Sequence, residues 1–251
     1  MANDEVKIKS IKKTIDVLNC FADKQPLGVT EISEQLGTYK SNVHRILSSL
    51  TTLDYLEQDS ETGKYYLGPG VLNLSRAVGQ RFGFRDVATK YGRQLADEVG
   101  EIVRLTVPVR REVYYLDVLC PASGRYYTGN LRALTDPMHC TSSGKAMMAN
   151  MPESFLEDYF SAPVDAFTEY TITNIDSMRT ELQKIRDRGY AIDDMENAIG
   201  VTCVGVPILS HNHNVVGAMS ISGISQSFSD ERIKHLAACL KKYAWKIEES
   251  I

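Results

Sequence analysis

The sequence predicts no segment that would anchor the chain in a membrane or export it. No apolar run reaches the ~18 residues that a bilayer span needs. The N-terminal segment MANDEVKIKSIKK has no apolar core of a signal peptide. The cysteines are odd in number and widely spaced, and no C-x-x-C motif occurs. They are Cys20, Cys120, Cys140, Cys203 and Cys239. We therefore expect reduced thiols and a cytoplasmic protein, not a disulfide framework.

The chain also lacks an excess of positive charge. Its formal net charge is −4, and residues 1–68 hold eight Lys and Arg against ten Asp and Glu, a difference of −2. Any affinity for nucleic acid must then come from local placement of cations, because no bulk field attracts phosphates. The 251 residues, 43% of them hydrophobic, are enough for two domains that each bury a core.

One stretch lacks carboxylates altogether, since no Asp or Glu lies between Glu34 and Asp54. It holds the second of two short helical patterns that are separated by a turn at Gly37. We expect Thr30 to cap the first helix. In the second helix an apolar stripe follows i, i+3, i+4 and i+7 spacing, which predicts one buried face. The opposite face carries only cations and hydrogen-bonding groups, so a phosphate or a base edge could approach it without repulsion.

The elements around this pair complete a winged helix-turn-helix over residues 1–68. An earlier helix with Ile8, Ile11, Ile15 and Leu18 in register is expected to pack on the two helices. After them, strands at 55–58 and 64–67 flank a turn at 59–63 that is rich in Asp, Ser and Gly. Three helices followed by a two-stranded wing are typical of DNA-binding proteins.

The rest of the chain predicts a linker helix over 69–85, after a break at Gly68-Pro69-Gly70, and an α+β domain over 86–251. Alternating β-branched and aromatic residues predict strands at 102–109, 112–120, 201–209 and 215–223. Helical periodicity appears before, between and after them, at 86–100, 142–150, 176–188 and from Ser229 onward. The fold class is therefore α+β, with an antiparallel sheet and flanking helices in the C-terminal domain.

Three constellations in this domain could bind a ligand. Ser142 and Ser143 open a helix whose backbone amides favour an anion, although an ordinary capped helix explains them equally well. A phosphate-binding P-loop is not expected, since the required glycine is replaced by His139 and no Ser or Thr follows the lysine. Ser220 and Ser222 lie two apart on a strand, so both hydroxyls face one side and need a partner, which backbone or water could also supply.

Asp193, at the end of a short strand, forms a carboxylate cluster with Asp194 and Glu196 that suits a metal, a hydroxylated ligand or a solvated loop. Cys203 is typical of a small core residue. A Cys–His pair has no supporting signature, although His139 is one of the histidines that would serve as base. We therefore expect no catalytic residue, no cofactor and no metal.

Four segments in this order resemble the isocitrate lyase regulator (IclR) family of bacterial transcription factors. They are SNVHRILSSL with the wing ending YYLG, MHCTSSGKAMMA, RGYAIDDMENAIGVTCVGVPI and VVGAMSISG. The resemblance covers nearly all of residues 8–250. It implies a winged helix domain, a linker helix and a GAF/PAS-like effector domain, in a homodimer or homotetramer that responds to small organic acids or aromatic compounds.

The resemblance also joins the separate constellations into one expected effector site. Its residues are Ser142, Ser143, Asp193, Cys203, Ser220 and Ser222. Arg125 or Lys145 would offset the charge of Asp193. Relatives often have Gly or Ala where this chain has Ser142-Ser143, which predicts a smaller and more polar pocket.

The other expected partner is double-stranded DNA with a palindromic operator. The residues expected to meet it are Lys40, Ser41, Asn42, His44 and Arg45 in the major groove, with Lys64 and Tyr66 on the wing touching the backbone. Asn42 stands where relatives usually have threonine, so the operator preference is expected to differ. The alternatives are a ligand-independent DNA-bridging protein and a thiol-dependent enzyme built on the C-terminal domain.

Overall fold

The computed structural model describes residues 7–81, 83–122 and 135–251, which divide into two compact units, Met1–Phe82 and Gly83–Ile251. The first unit has the order of a winged helix. Its elements are α1 (Lys9–Asp23), α2 (Val29–Leu36), α3 (Lys40–Thr52), β1 (Leu56–Gln58), β2 (Tyr65–Leu67) and α4 (Pro69–Arg81). β1 and β2 pair antiparallel, as the wing pattern predicts. None of the described helices has the length and apolar character that a bilayer span requires.

The core of this unit joins α1, α2, α3 and the wing. Its fully buried members are Val17, Cys20, Phe21, Leu27, Ile32, Val43, Leu47, Leu50, Leu56 and Tyr65. The predicted stripe of α3 is confirmed, since Val43, Leu47 and Leu50 are buried and Ile46 packs partly against them.

The stripe predicted for the first helix is correct only at Leu18, which packs against the core. Ile8, Ile11 and Ile15 are 55%, 53% and 49% exposed, and α1 instead packs on the core through Val17 and Phe21. Periodicity finds an apolar face but does not say whether the same chain covers it. This helix has two apolar sides, and only one of them meets α2 and α3.

Glycine and proline, rather than residues with capping side chains, mark the ends of α2 and the start of α4. Gly28, not the predicted Thr30, caps α2, and Glu31 accepts the amide of Gly28 at 2.9 Å. Gly37 ends the helix with a φ of +59°, as predicted. The Gly68-Pro69-Gly70 break proves to be the start of α4, because proline fits the first helical position.

The second unit is built on a six-stranded antiparallel sheet. Its elements are α5 (Arg85–Val99), β3 (Ile102–Val109), β4 (Glu112–Leu119), β5 (Thr135–Pro137), α6 (Ser142–Met148), α7 (Glu153–Tyr159), α8 (Ile175–Arg188), β6 (Ala191–Asp194), β7 (Val201–Leu209), β8 (Val215–Ile224), a 3-10 turn (Ser225–Ser227) and α9 (Asp230–Glu248). The strand order is β5-β4-β3-β8-β7-β6. The α+β class and the antiparallel sheet are confirmed, whereas β5 and α7 were not predicted.

Helices cover both faces of the sheet. α5 lies on one face, where Gly92 lets it approach Leu119, Leu105 and Val103. α6 lies on the opposite face, where its first turn rests on Gly205 of β7. Because alternate residues of a strand point to opposite faces, the side chains of β3 divide between the core under α5 and the space beside α6.

Candidate functional site

The exposed face of α3 carries the residues expected to meet DNA. Ser41, His44, Arg45 and Lys40 are exposed and Asn42 is half-buried. The first turn of α3 holds no acidic residue and its N-cap, Tyr39, makes no side-chain cap. Backbone amides there remain available to an anion. The structure thus brings all five predicted residues to the N-terminal end of α3, four of them exposed.

Tyr39 itself was not among the predicted contacts. It is 80% exposed directly before α3. The preceding turn is held by Ser33, whose hydroxyl donates to the Thr38 carbonyl at 2.6 Å. Its position in the turn between two helices could have predicted its exposure, since a turn side chain is seldom part of the core.

The two wing residues differ in their surroundings. Tyr66 is exposed on β2. Lys64 is engaged, because its ammonium lies 3.1 Å from Glu31 of α2. Glu31 also pairs with Lys24 at 3.2 Å, and the amide of Gly28 together with these two lysines lowers the pKa of Glu31 to about 2. A phosphate near Lys64 would share this lysine with Glu31.

In the second unit the expected effector residues all line one cavity of about 480 Å³. Register explains why strands distant in sequence contribute to it. Asp193 on β6 pairs with Cys203 on β7, Cys203 with Ser222 on β8, and Ser222 with Ile102 on β3. Residues directly opposite one another share a face, so these four side chains form a row across four strands.

A second row runs parallel to the first, two residues away. It joins Gly205, Ser220 and Arg104 on β7, β8 and β3. Gly205 has no side chain in the row, and this space admits the first turn of α6, because an added Cβ would lie 2.7 Å from the carbonyl carbon of Ser142. Ser142 and Ser143 are thereby held at the edge of the cavity. Pairing and this close approach, which sequence spacing does not reveal, assemble the site.

The start of α6 is fixed from two sides. Thr141, the N-cap, accepts the amide of Gly144 at 3.2 Å and donates its hydroxyl to the Pro137 carbonyl at 3.0 Å. Gly144 is packed against the backbone of Met138, which leaves no room for a side chain. The helix is buried along its whole length. The serines at its start therefore have little freedom to move away from the cavity.

Five polar lining residues were not predicted, namely Arg104, Tyr115, Asp136, Thr141 and Asn197. The Arg104 guanidinium lies 6.0 Å from the centre of the Tyr115 ring and forms no ion pair with a described carboxylate. Tyr115 donates its hydroxyl to Asp136 at 2.6 Å. An arginine inside an otherwise apolar strand was the available signal for Arg104. Arg125, considered above as a counter-charge, lies outside the described residues.

Among the described residues, the Ser222 hydroxyl of the cavity has no hydrogen-bond partner. Ser222 is 6% exposed. Leaving a buried hydroxyl without a hydrogen bond costs about 1–3 kcal/mol. A ligand or a water with an oxygen in this position would remove that cost.

Asp193 is the most deeply buried acid of the cavity. It is 2% exposed and accepts the backbone amides of Glu196 at 2.8 Å and Asn197 at 3.3 Å. Burial raises the pKa of its carboxyl to about 7, although nearby Lys145 and the two amides act in the opposite direction. Asp194, the next residue, points the other way and is exposed.

Cys203 and His139 are not arranged as the nucleophile and base of a thiol-dependent enzyme. Burial raises the pKa of the Cys203 thiol to about 12, so it is not a thiolate near neutral pH. Both ring nitrogens of His139 are occupied, at 3.0 Å each, by the Tyr159 hydroxyl and the Asp165 carbonyl. Within the described residues, no three His, Cys, Asp or Glu side chains are arranged to hold a metal.

Both units match family models. Residues 10–60 match the IclR helix-turn-helix domain, and residues 77–249 match the C-terminal domain of the bacterial transcriptional regulator IclR. The chain belongs to the IclR family. It is accordingly a DNA-binding transcriptional regulator of the helix-turn-helix type, as the resemblance predicted.

Individual relatives of this IclR-family chain agree over its whole length. It is 28% identical over 247 residues to the HTH-type transcriptional regulator XynR of Escherichia coli K12, with 94% of each chain covered. The crystal structure of the Thermotoga maritima IclR matches with a TM-score of 0.80 and 30% identity, over 96% of this chain and 98% of that one. An IclR homolog from Microbacterium hydrocarbonoxydans, complexed with 4-hydroxybenzoate, shares the fold with a TM-score of 0.76 and 22% identity, over 96% and 98% of the two chains.

Proposed function

We propose that this regulator binds a palindromic operator through α3 and the wing, and that a small organic acid or hydroxylated compound in the cavity controls that binding. The observation that carries the proposal is the composition of the cavity. One cation without an ion-pair partner, Arg104, faces a site of serine hydroxyls, and the Ser222 hydroxyl lacks a partner within the described residues.

The ligand chemistry follows from these groups. Arg104 suits a carboxylate, because a guanidinium offers a planar fork of donors. Ser142, Ser143, Ser220 and Ser222 suit hydroxyl or carbonyl oxygens. Tyr115 adds a flat apolar surface beside Arg104. A cavity of about 480 Å³ is of the size that encloses a small molecule.

The DNA contacts are proposed from charge and exposure. Arg45 and Asn42 are the candidates for base contacts in the major groove, and Lys40, Ser41 and His44 complete the same surface. The wing residues Tyr66 and Lys64 would meet the phosphate backbone. A half-site of DNA approaching α3 meets no carboxylate on that helix.

A palindromic operator requires two copies of the chain, as a homodimer or within a homotetramer. The exposed isoleucines at the start of α1, Ile11, Ile15 and the N-cap Ile8, support pairing in the first unit, since an exposed apolar stripe marks an interaction surface. Two half-sites would then lie about 34 Å apart or a multiple of it. An effector alters such binding only through different affinities for two arrangements of the dimer.

The first experiment selects genomic DNA fragments with the purified full-length protein at several salt concentrations. Recovery of a few palindromic sites, with affinity that falls steeply in salt, supports the operator. The same protein is then heated with a panel of small carboxylic acids, including gluconate, pyruvate and 4-hydroxybenzoate. An acid that raises the unfolding temperature and changes operator affinity supports the effector, and the Arg104→Leu variant should lose both responses.

Two outcomes contradict the proposal. Uniform weak recovery of DNA at every salt concentration argues against a specific operator. Sequence-specific binding that no acid in the panel alters, together with an unchanged unfolding temperature, favours the ligand-independent DNA-bridging protein. The Lys184→Ala variant, which removes an exposed cation on α8, is the control for a general effect of charge.

A further inference from the structure

A group of charged side chains lies near Asp193, and two of its members, Lys145 and Glu196, are buried. Lys145 of α6 forms an ion pair with Glu196, which follows β6, and its ammonium lies 3.9 Å from Glu181 of α8. Arg188 reaches the same oxygen of Glu181 at 2.8 Å. Together with Asp193, the group holds three carboxyls and two cations. If all were ionised, one negative charge would remain without a cation.

Asp193 is the carboxyl that is left without a cation. Both cations are in contact with the other two acids, and Asp193 forms no ion pair with a described residue. Its Oδ1 accepts the backbone amides of Glu196 and Asn197, and the Lys145 ammonium, which is in contact with Glu196 instead, acts on it only from a greater distance. It is also the only one of the three carboxyls that lines the cavity. The excess charge therefore falls on the group that would face a ligand.

The described elements packed against Asp193 supply no further cation in contact with it, while Arg104 of β3 and Asp136 of β5, one base and one acid, face the same cavity from strands that do not pair with β6. α6 supplies Lys145, which is already in contact with Glu196. The turn after β6 supplies Glu196, whose charge opposes a second anion. β7 supplies Cys203 and the segment before α6 supplies Cys140, and burial raises the pKa of both thiols, so both are neutral. The same burial brings the pKa of Asp193 to about 7.

We infer that the effector is an anion and that it binds only while Asp193 holds a proton, so that effector binding takes up one proton at alkaline pH. This inference rests on the proposed function. An ionised Asp193 and an anionic ligand would be like charges in one cavity, which disfavours their coexistence. The protonated carboxyl instead offers a hydrogen-bond donor to the ligand. Affinity then falls about tenfold for each pH unit above about 7, and it is constant below that value.

The first test needs no effector. Infrared spectra of the full-length protein, with its aspartate carboxyls isotopically labelled, are recorded across a pH titration. We expect the carbonyl band of a protonated aspartate that disappears as the pH passes about 7. The Asp193→Asn variant should lack this band and the Asp194→Asn variant, changed on the other side of the same strand, should keep it. If Asp193→Asn fails to fold, the labelled wild-type protein still decides, because all aspartates titrating in the ordinary range would overturn the inference.

The second test measures the dissociation constant of the acid found in the panel, at about one pH unit below and above 7. The wild type should bind more weakly at the higher pH, and Asp193→Asn should bind with little dependence on pH. A flat wild-type profile, or tighter binding at high pH as a cationic ligand would give, overturns the inference while leaving an effector in place. If no acid binds at either pH, the proposed effector fails together with the anion inferred here.

Discussion

Lys145 and Glu196 form an ion pair whose side chains are 1% and 9% exposed. It joins α6, at the start of which two cavity serines lie, to the turn that donates amides to Asp193. The pair therefore connects two segments that each supply groups to the cavity.

Replacing Lys145 by Met should lower the free energy of unfolding by about 3–5 kcal/mol, because Glu196 would be buried without its partner. Urea denaturation at neutral pH measures the change. Arg179→Met is the control, since it breaks an exposed ion pair with Glu153 and should alter stability little. Equal losses in both variants would contradict a special role for the buried pair.

The stability of the protein should depend on pH through Asp193. Its pKa is about 7 in the folded state, above its ordinary value of 3.8, so its contribution is fully present below about pH 4 and is lost as the pH rises through about 7. Each pH unit that separates the folded from the unfolded pKa corresponds to about 1.4 kcal/mol. Asp193→Asn should therefore show a flatter decline over this range and exceed the wild type in stability at about pH 8, as chemical denaturation at a series of pH values would show.

Asp194→Asn serves as the matched control for this pH dependence, because Asp194 is exposed and its neighbour on the strand is not. It should reproduce the wild-type curve. If the stability of Asp193→Asn falls with pH as steeply as that of the wild type, another group is responsible for the pH dependence.

Gly205→Ala should weaken both folding and effector binding. The added methyl would meet Ser142 at 2.7–2.8 Å and push the first turn of α6 away from the sheet. Overpacking of this kind costs about 1–3 kcal/mol. Thermal unfolding with and without the bound acid measures both effects, and an unchanged melting temperature would show that α6 moves freely.

Ile11→Asp should dissociate the proposed dimer, because it places a charge in the exposed apolar stripe of α1. Sedimentation of the full-length protein over a range of concentrations measures its mass. Ser10→Asp adds the same charge to a neighbouring exposed position and should leave the assembly intact. A monomeric wild type, or an Ile11→Asp variant with the wild-type mass, would exclude this surface.

Arg45→Ala should reduce affinity for the selected operator by about 1–3 kcal/mol and relax the preference at one base pair. Lys40→Ala should instead weaken binding to all sequences alike and reduce the salt dependence by about one counterion. Fluorescence anisotropy with operator and scrambled DNA separates the two effects. Unchanged operator affinity in Arg45→Ala would remove α3 from the proposed interface.

The sequence by itself determined the helix-turn-helix, the wing and most strands. In these segments the local sequence pattern is itself the physical cause of the structure. Examples are the buried stripe of Val43, Leu47 and Leu50 and the left-handed Gly37 that ends α2. It did not predict β5 or α7, since a three-residue strand and a seven-residue helix are too short to show a period. Periodicity also did not predict which face of α1 is buried, because two apolar faces of this helix have the same spacing.

Only the tertiary structure decided the chemistry of the cavity. The serine pair Ser220 and Ser222 lies on β8 and Cys203 on β7, and strand register aligns them with Asp193 and Arg104. Burial, which depends on the whole fold, changed Asp193 from an ordinary acid into a group poised near neutral pH. Local sequence sets the backbone and its periodic faces, whereas charge balance and desolvation arise from contacts between residues that are far apart in the chain.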